Sequence, residues 1–208
     1  MNRIIVFALM FFCMTMQIEA QTLSEEEVTA KMYQAFELNK AAKKAEALEL
    51  FLIVGENTKQ QRNEGERQVY VCSQTMACQC YELLGRYKEG YLLGKSLLQG
   101  KLNDTERKDV GHLYAMNGYM YACEFIQRDE KGRADYKRGR ELISEILPYS
   151  DGQVKEYAET KIPLSWYFEG AQYAMTQSYD EALSSYEEAL NGFRDLGRVS
   201  EEVDVLSG

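Results

Sequence analysis

The sequence predicts an all-α chain built from stacked antiparallel helical hairpins, and three observations predict it. Proline occurs only 2 times in 208 residues, so little interrupts helical hydrogen bonding. The polar stretches are rich in Glu, Lys, Ala, Leu and Gln, side chains that lose little rotamer freedom in a helix. Helical stretches of roughly one to two dozen residues alternate with turn signals, the rhythm of paired helices. With 45% hydrophobic and 27% charged residues, the chain has the apolar mass for a core and is no disordered tail.

The opening residues, MNRIIVFALMFFCMTMQIEAQ, carry one basic residue (Arg3), an apolar core from Ile4 to Met16, and a small residue, Ala20, before Gln21. That pattern predicts a signal peptide over 1–20 with cleavage after Ala20, because the apolar run is short for a bilayer span. An uncleaved anchor is the other reading, and both the short run and Ala20 weigh against it. Cys13 is not a lipid-attachment site, since Met10-Phe11-Phe12 lack the small residue such sites need beside the cysteine. The expected mature chain is exported, periplasmic or secreted, with no direct membrane insertion. A net charge of -9 opposes phosphate backbones and anionic headgroups, so no nucleic acid partner is expected.

Four cysteines follow the leader: Cys72, Cys78, Cys80 and Cys123. Export permits disulfides, and the three possible pairings stay open beside the alternative of buried free thiols. Cys78 and Cys80 lie two apart on a helix and face different directions, which argues against a metal clip. No metal or cofactor is expected.

From residue 21 to 208 no linker or low-complexity tract divides the chain, which reads as one helical repeat domain. Its first helix start is marked by Ser24-x-x-Glu27, a capping box; a break is expected near Gly55-Glu56-Asn57. A second break falls at Gly100 to Asp104, beside the box Asn103-x-x-Glu106. Two more fall at Gln127 to Gly132 and Pro148 to Gly152, and a third box is read at Ser178-x-x-Glu181. The run WYFEGAQYAMTQSYDEALSSYEEAL then places Trp166, Gly170 and Tyr173 on one helical face, with Ala182, Tyr186 and Ala189 repeating that spacing on the next helix. Gly170 gives up about 1 kcal/mol of helix propensity. Its missing side chain lets two antiparallel helices approach closely, with Ala182 opposite and Trp166, Tyr173 and Tyr186 around them.

Those residues, with Tyr179 and the SYDEA turn, resemble the signature of a tetratricopeptide repeat over about Pro163 to Phe193. The family's terminal proline is absent, with Arg194 in its place. Weaker copies involve Ala35, Leu38, Ala47 and Phe51; Cys78, Tyr81, Tyr87 and Gly90; and Gly118, Tyr121, Gly139 and Ile143. The equivalent marks Ala47, Gly90, Gly139 and Ala182 stand 43, 49 and 43 residues apart, longer than the family's usual period. The resemblance implies a right-handed solenoid of about four hairpins. Val199, Val203 and Leu206 form a further stripe, either the start of a fifth hairpin or a frayed cap.

The resemblance also implies a concave surface that binds a protein or peptide, lined by Met32, Phe36, Asn39, Thr75, Gln79, Glu82, Tyr119, Ala122, Tyr167, Ala171 and Met175. The Lys/Asn arrangement by which some relatives clamp a C-terminal carboxylate is missing. No catalytic site is expected: the single histidine, His112, has no carboxylate or cysteine placed by sequence to orient it, and GRYKEGYLLG lacks the ending of a phosphate loop. The basic segment 130–141, EKGRADYKRGRE, reads as a charged helix face or as a docking patch for an acidic partner through Lys137, Arg138 and Arg140. The expected function is that of a non-enzymatic exported scaffold. The alternative is the extracytoplasmic input domain of a larger membrane-bound signalling protein, similar to sensor histidine kinases that carry such repeats.

Overall fold

The structure, a computed structural model, describes residues 23–127 and 134–198. The signal-peptide reading, the first part of the basic segment and the stripe after Arg198 lie outside the described residues. Within them the chain is all-α, with eight helices and one short 3-10 turn. The helices are α1 (Glu25–Lys40), α2 (Lys44–Thr58), α3 (Glu64–Leu83), α4 (Tyr87–Leu98), α5 (Asp104–Ile126), α6 (Tyr136–Ile146), α7 (Gly152–Met175) and α8 (Tyr179–Asp195). No helix of the described residues is long and apolar enough to cross a membrane.

Each helix packs on the next along the chain, and α5 also packs on α3 and on α7. α7 and α8 run back along each other: Gly170 lies against Tyr186 and Ala182, and further along Gly192 lies against Pro163. The expected marks share one place. Ala47, Gly90, Gly139 and Ala182 are each the fourth residue of α2, α4, α6 and α8, and each is buried. The backbone N–H of each donates to the carbonyl of the residue just before its helix.

The turns explain that shared register. After α1, α3 and α7 the chain takes a left-handed residue, Ala42 (φ 61°), Gly85 (φ 70°) or Gln177 (φ 61°). The next residue then donates its N–H five residues back, from Lys43 to Leu38, Arg86 to Tyr81 and Ser178 to Tyr173. This is the Schellman closure of a helix end. Arg198 makes the same bond to Phe193 after α8.

Two sequence expectations change here. Gly55 is not a break: α2 runs through it to Thr58, and the glycine is buried because the Gln74 side chain of α3 fills the space a Cβ would need. Ser178 caps nothing with its side chain. Its backbone is not extended, at ψ 69°, whereas Ser24 and Asn103, at ψ 161° and 173°, complete both halves of their boxes. Asn63 adds an unexpected cap, its Oδ1 accepting the Glu66 N–H at 2.9 Å.

The core falls into clusters spaced along the row of helices. Phe51 is fully buried among Ala35, Ala47 and Ala77, with Phe36 edge-on to its ring at 5.4 Å. Burying such a side chain is worth about 1.5–3 kcal/mol. A larger cluster joins Tyr91, Tyr114, Leu142, Ile143 and Ile146 across α4, α5 and α6. Above it the Glu145 carboxylate accepts from both phenols, at 2.9 Å and 2.7 Å, and pairs with Lys95 at 2.6 Å.

Candidate functional site

The one stretch of α1 that repeats apolar contacts on an open face runs from Val28 to Phe36. Val28, Thr29, Met32, Tyr33 and Phe36 line a cavity of about 240 Å³, closed on the other side by Val69 of α3. Helical spacing of three and four residues brings them onto one side. Packing divides their work: Val28 is buried, Met32 and Phe36 rest on the core with Ala35 and Phe51, and Thr29 and Tyr33 are exposed, Tyr33 by 70%.

A second cavity of about 480 Å³ adjoins it, sharing Val28, Thr29 and Val69 and adding Glu25, Asn57, Arg62 and Glu66. Polar groups here are fixed by the chain's own bonds. The Leu23 N–H donates to Asn57 Oδ1 at 2.9 Å, and Arg62 gives Glu66 both its backbone N–H at 2.9 Å and its Nε at 3.0 Å. Those bonds favour the ionised carboxylate and hold Glu66 below the usual carboxylate range. The combined groove therefore has an apolar end and a polar, charge-paired end.

The other residues expected on a binding surface are placed differently. Asn39 is occupied, its Oδ1 accepting from Lys44 Nζ at 2.6 Å across the α1–α2 turn. Thr75 donates its hydroxyl to the Val71 carbonyl at 2.7 Å, and Gln79 is exposed. Glu82 is half-buried, and burial raises its carboxyl above the usual range. Tyr119 stacks on Tyr157 at 6.3 Å, and Tyr167 packs between Phe168 and Tyr186. Ala171 is half-buried and Met175 is 76% exposed. Ala122 is corrected: it is fully buried, under α6 where Gly139 approaches its carbonyl, and offers nothing to a partner. Only Met32 and Phe36 of the set meet in the groove. Thr29, Tyr33 and Val69 were missed, although Thr29, Met32, Tyr33 and Phe36 already stand at i, i+3, i+4 and i+7.

Among the residues expected to pack the last helix pair, Ala182 and Ala189 are buried, and a Cβ on Gly170 would stand 2.9 Å from the Tyr186 ring and 3.2 Å from the Ala182 carbonyl. Trp166 lies under the Arg140 guanidinium, 3.3 Å from the ring centre. Tyr173 contributes its backbone to the turn while its side chain stands at the edge, 36% exposed.

That position of Arg140 corrects the basic-patch reading. Its guanidinium pairs with Glu169 at 2.7 Å, both side chains largely covered, at 11% and 17% exposure, so it joins α6 to α7. Arg138 pairs with Glu141 at 3.2 Å in solvent, and Lys137 is exposed. His112 does have a carboxylate, Asp151 at 3.1 Å, brought from 39 residues away; both are exposed and border none of the cavities above. The four cysteines of the described residues are free thiols, Cys72 exposed and the others buried. Burial pushes the Cys78 thiol up to about 12, so it stays protonated and unreactive near neutral pH. Among the described residues no group of three His, Cys, Asp or Glu could hold a metal ion.

No family model, curated protein or solved structure matches the chain.

Proposed function

We propose that the chain is a non-enzymatic helical-repeat scaffold, a right-handed stack of four tetratricopeptide-like hairpins, exported after loss of residues 1–20, that binds a protein or peptide in the groove between α1 and α3. The observation that carries the reading is the pairing of Met32 and Phe36 with the exposed Thr29 and Tyr33 along one apolar cavity. At about 240 Å³ that cavity lies below the roughly 300–1,000 Å³ of sites that engulf a small molecule. It suits an anchoring apolar side chain. The adjoining polar end offers the Glu25 carboxylate to the amide groups of an extended peptide. Methionine and aromatic side chains make such a surface adaptable.

Selection of peptides from a random library on the purified chain tests this. Selected peptides should carry one or two large apolar residues, and Tyr33→Arg or Thr29→Arg should weaken them by at least about tenfold with an unchanged melting temperature, because both side chains are exposed. Peptides whose affinity survives both substitutions would refute the groove.

A further inference from the structure

A proline inside a helix removes one rung of its hydrogen-bond ladder, and α7 carries Pro163 where its packing changes. Before it, Val154 and Ala158 are buried, with Ile162 against them, in the cluster that holds Ile143 and Ile146 of α6. After it, Leu164, Trp166 and Tyr167 pack with Ala189 and Phe193 of α8 in a separate cluster. Without an N–H at residue 163, no helical bond runs back to the Glu159 carbonyl, so a weakened turn joins the two halves. Gly192 of α8 meets the proline there with bare backbone: a Cβ on it would stand 2.8 Å from the Pro163 Cβ.

Two ion pairs cross this point. Arg140 of α6 reaches past it to Glu169 at 2.7 Å and Ser165 at 3.4 Å, its guanidinium 3.3 Å from the Trp166 ring centre. Arg198, after α8, pairs with Glu156 of the first half at 2.9 Å in a more exposed setting. We propose that α7 hinges at Pro163: its second half and α8 pivot as one body against the first three pairs, and the Arg140–Glu169 pair is the latch of the closed position. From Pro163 to Met175 the moving half is about 18 Å long at about 1.5 Å per residue, so a change of about 20° in the bend carries its tip about 6 Å. Phe168 and Met175, 40% and 76% exposed, ride on that half, while Tyr157, 50% exposed, stays with the fixed half beside Tyr119. The hinge sets the opening between them, a width that an occupant can select. It involves neither α1 nor α3 and does not rest on their groove.

Double electron–electron resonance between spin labels reads the pivot. Cys72 is the exposed thiol among the described residues, so one label sits there, with Cys13 replaced by serine. The second sits at Met175→Cys, and Lys155→Cys on the first half gives the control pair; both replaced side chains are exposed. Glu169→Gln leaves the largely covered Arg140 without its anion and should add a second Cys72–Met175 population displaced by about 6 Å, while the Cys72–Lys155 distance stays single. Pro163→Ala, which restores the rung and keeps the Cβ facing Gly192, should remove that population from the Glu169→Gln chain. Arg140→Lys keeps the charge and loses the planar fork over Trp166; it should give a smaller share of the same displaced population, and it serves if Glu169→Gln does not fold. The proposal fails if both latch variants keep one unshifted Cys72–Met175 distance, if the Cys72–Lys155 distance shifts with it, or if Pro163→Ala leaves the second population in place.

Discussion

The turn between α1 and α2 and the connection between α2 and α3 reverse the chain by different means. At Ala42 a left-handed residue and a backbone bond close the helix, and the next helix starts from Lys43 at ψ 62° without any side-chain cap. At Asn63 the backbone is extended, ψ 173°, and the side chain caps α3. The same contrast recurs down the chain: Arg86 and Ser178 start helices at ψ 57° and 69° with no side-chain cap, while Ser24 and Asn103 are extended and capped. Two starts depart from it: Asp135, at ψ 74°, caps α6 through its side chain, and Asp151, extended at ψ 168°, makes no side-chain cap on α7. The three tight turns within pairs close on backbone bonds, and three of the four extended helix starts carry side-chain caps.

The largest way to break that contrast is to fill the contact beside a tight turn. Gly170→Leu should destabilise the chain by about 2–3 kcal/mol in urea unfolding, because Tyr186 and the Ala182 carbonyl already occupy the space. Gly85→Ala should cost about 1–2 kcal/mol, since φ of 70° is left-handed. Asn103→Ala should cost about 1 kcal/mol as a lost cap. Ser178→Ala, which the sequence ranks as its equal, should change stability by no more than a few tenths, and a matching loss at both positions would remove the distinction. Gln177→Gly and Ala42→Gly should each add about 0.5–1 kcal/mol by relieving left-handed strain.

The connections should also show a pH signature. Hydrogen bonding from Arg67 holds the Glu106 carboxyl below its ordinary range. A depressed folded value means the contribution is complete above the unfolded value of about 4.3 and is lost as pH falls through the folded one. Glu106→Gln keeps a side-chain oxygen for the capping box yet should flatten the acid limb of stability below about pH 4.

Much of the helical organisation was legible because it depends on local spacing. Ala47, Gly90, Gly139 and Ala182 could be found as small residues at steps of 43, 49 and 43, and the structure gives all four the same helical position. What could not be read depends on contacts between distant segments. Gly55 looks like a break until Gln74 is seen filling its missing side chain, and Arg140 looks like a surface cation until Glu169 and Trp166 cover it. Ala122 fails as a surface residue for the same reason, since α6 returns over it. In the groove, Met32 and Phe36 were legible from the repeat register, whereas Tyr33 shows its role only once Val69 of α3 stands opposite.

The most direct test of the proposed groove is a nuclear magnetic resonance titration of the labelled chain with a peptide selected on it. Amide shifts at Thr29, Tyr33 and Val69, with those of α8 unmoved, are the predicted result. Shifts that leave α1 and α3 untouched while other helices respond would contradict the account.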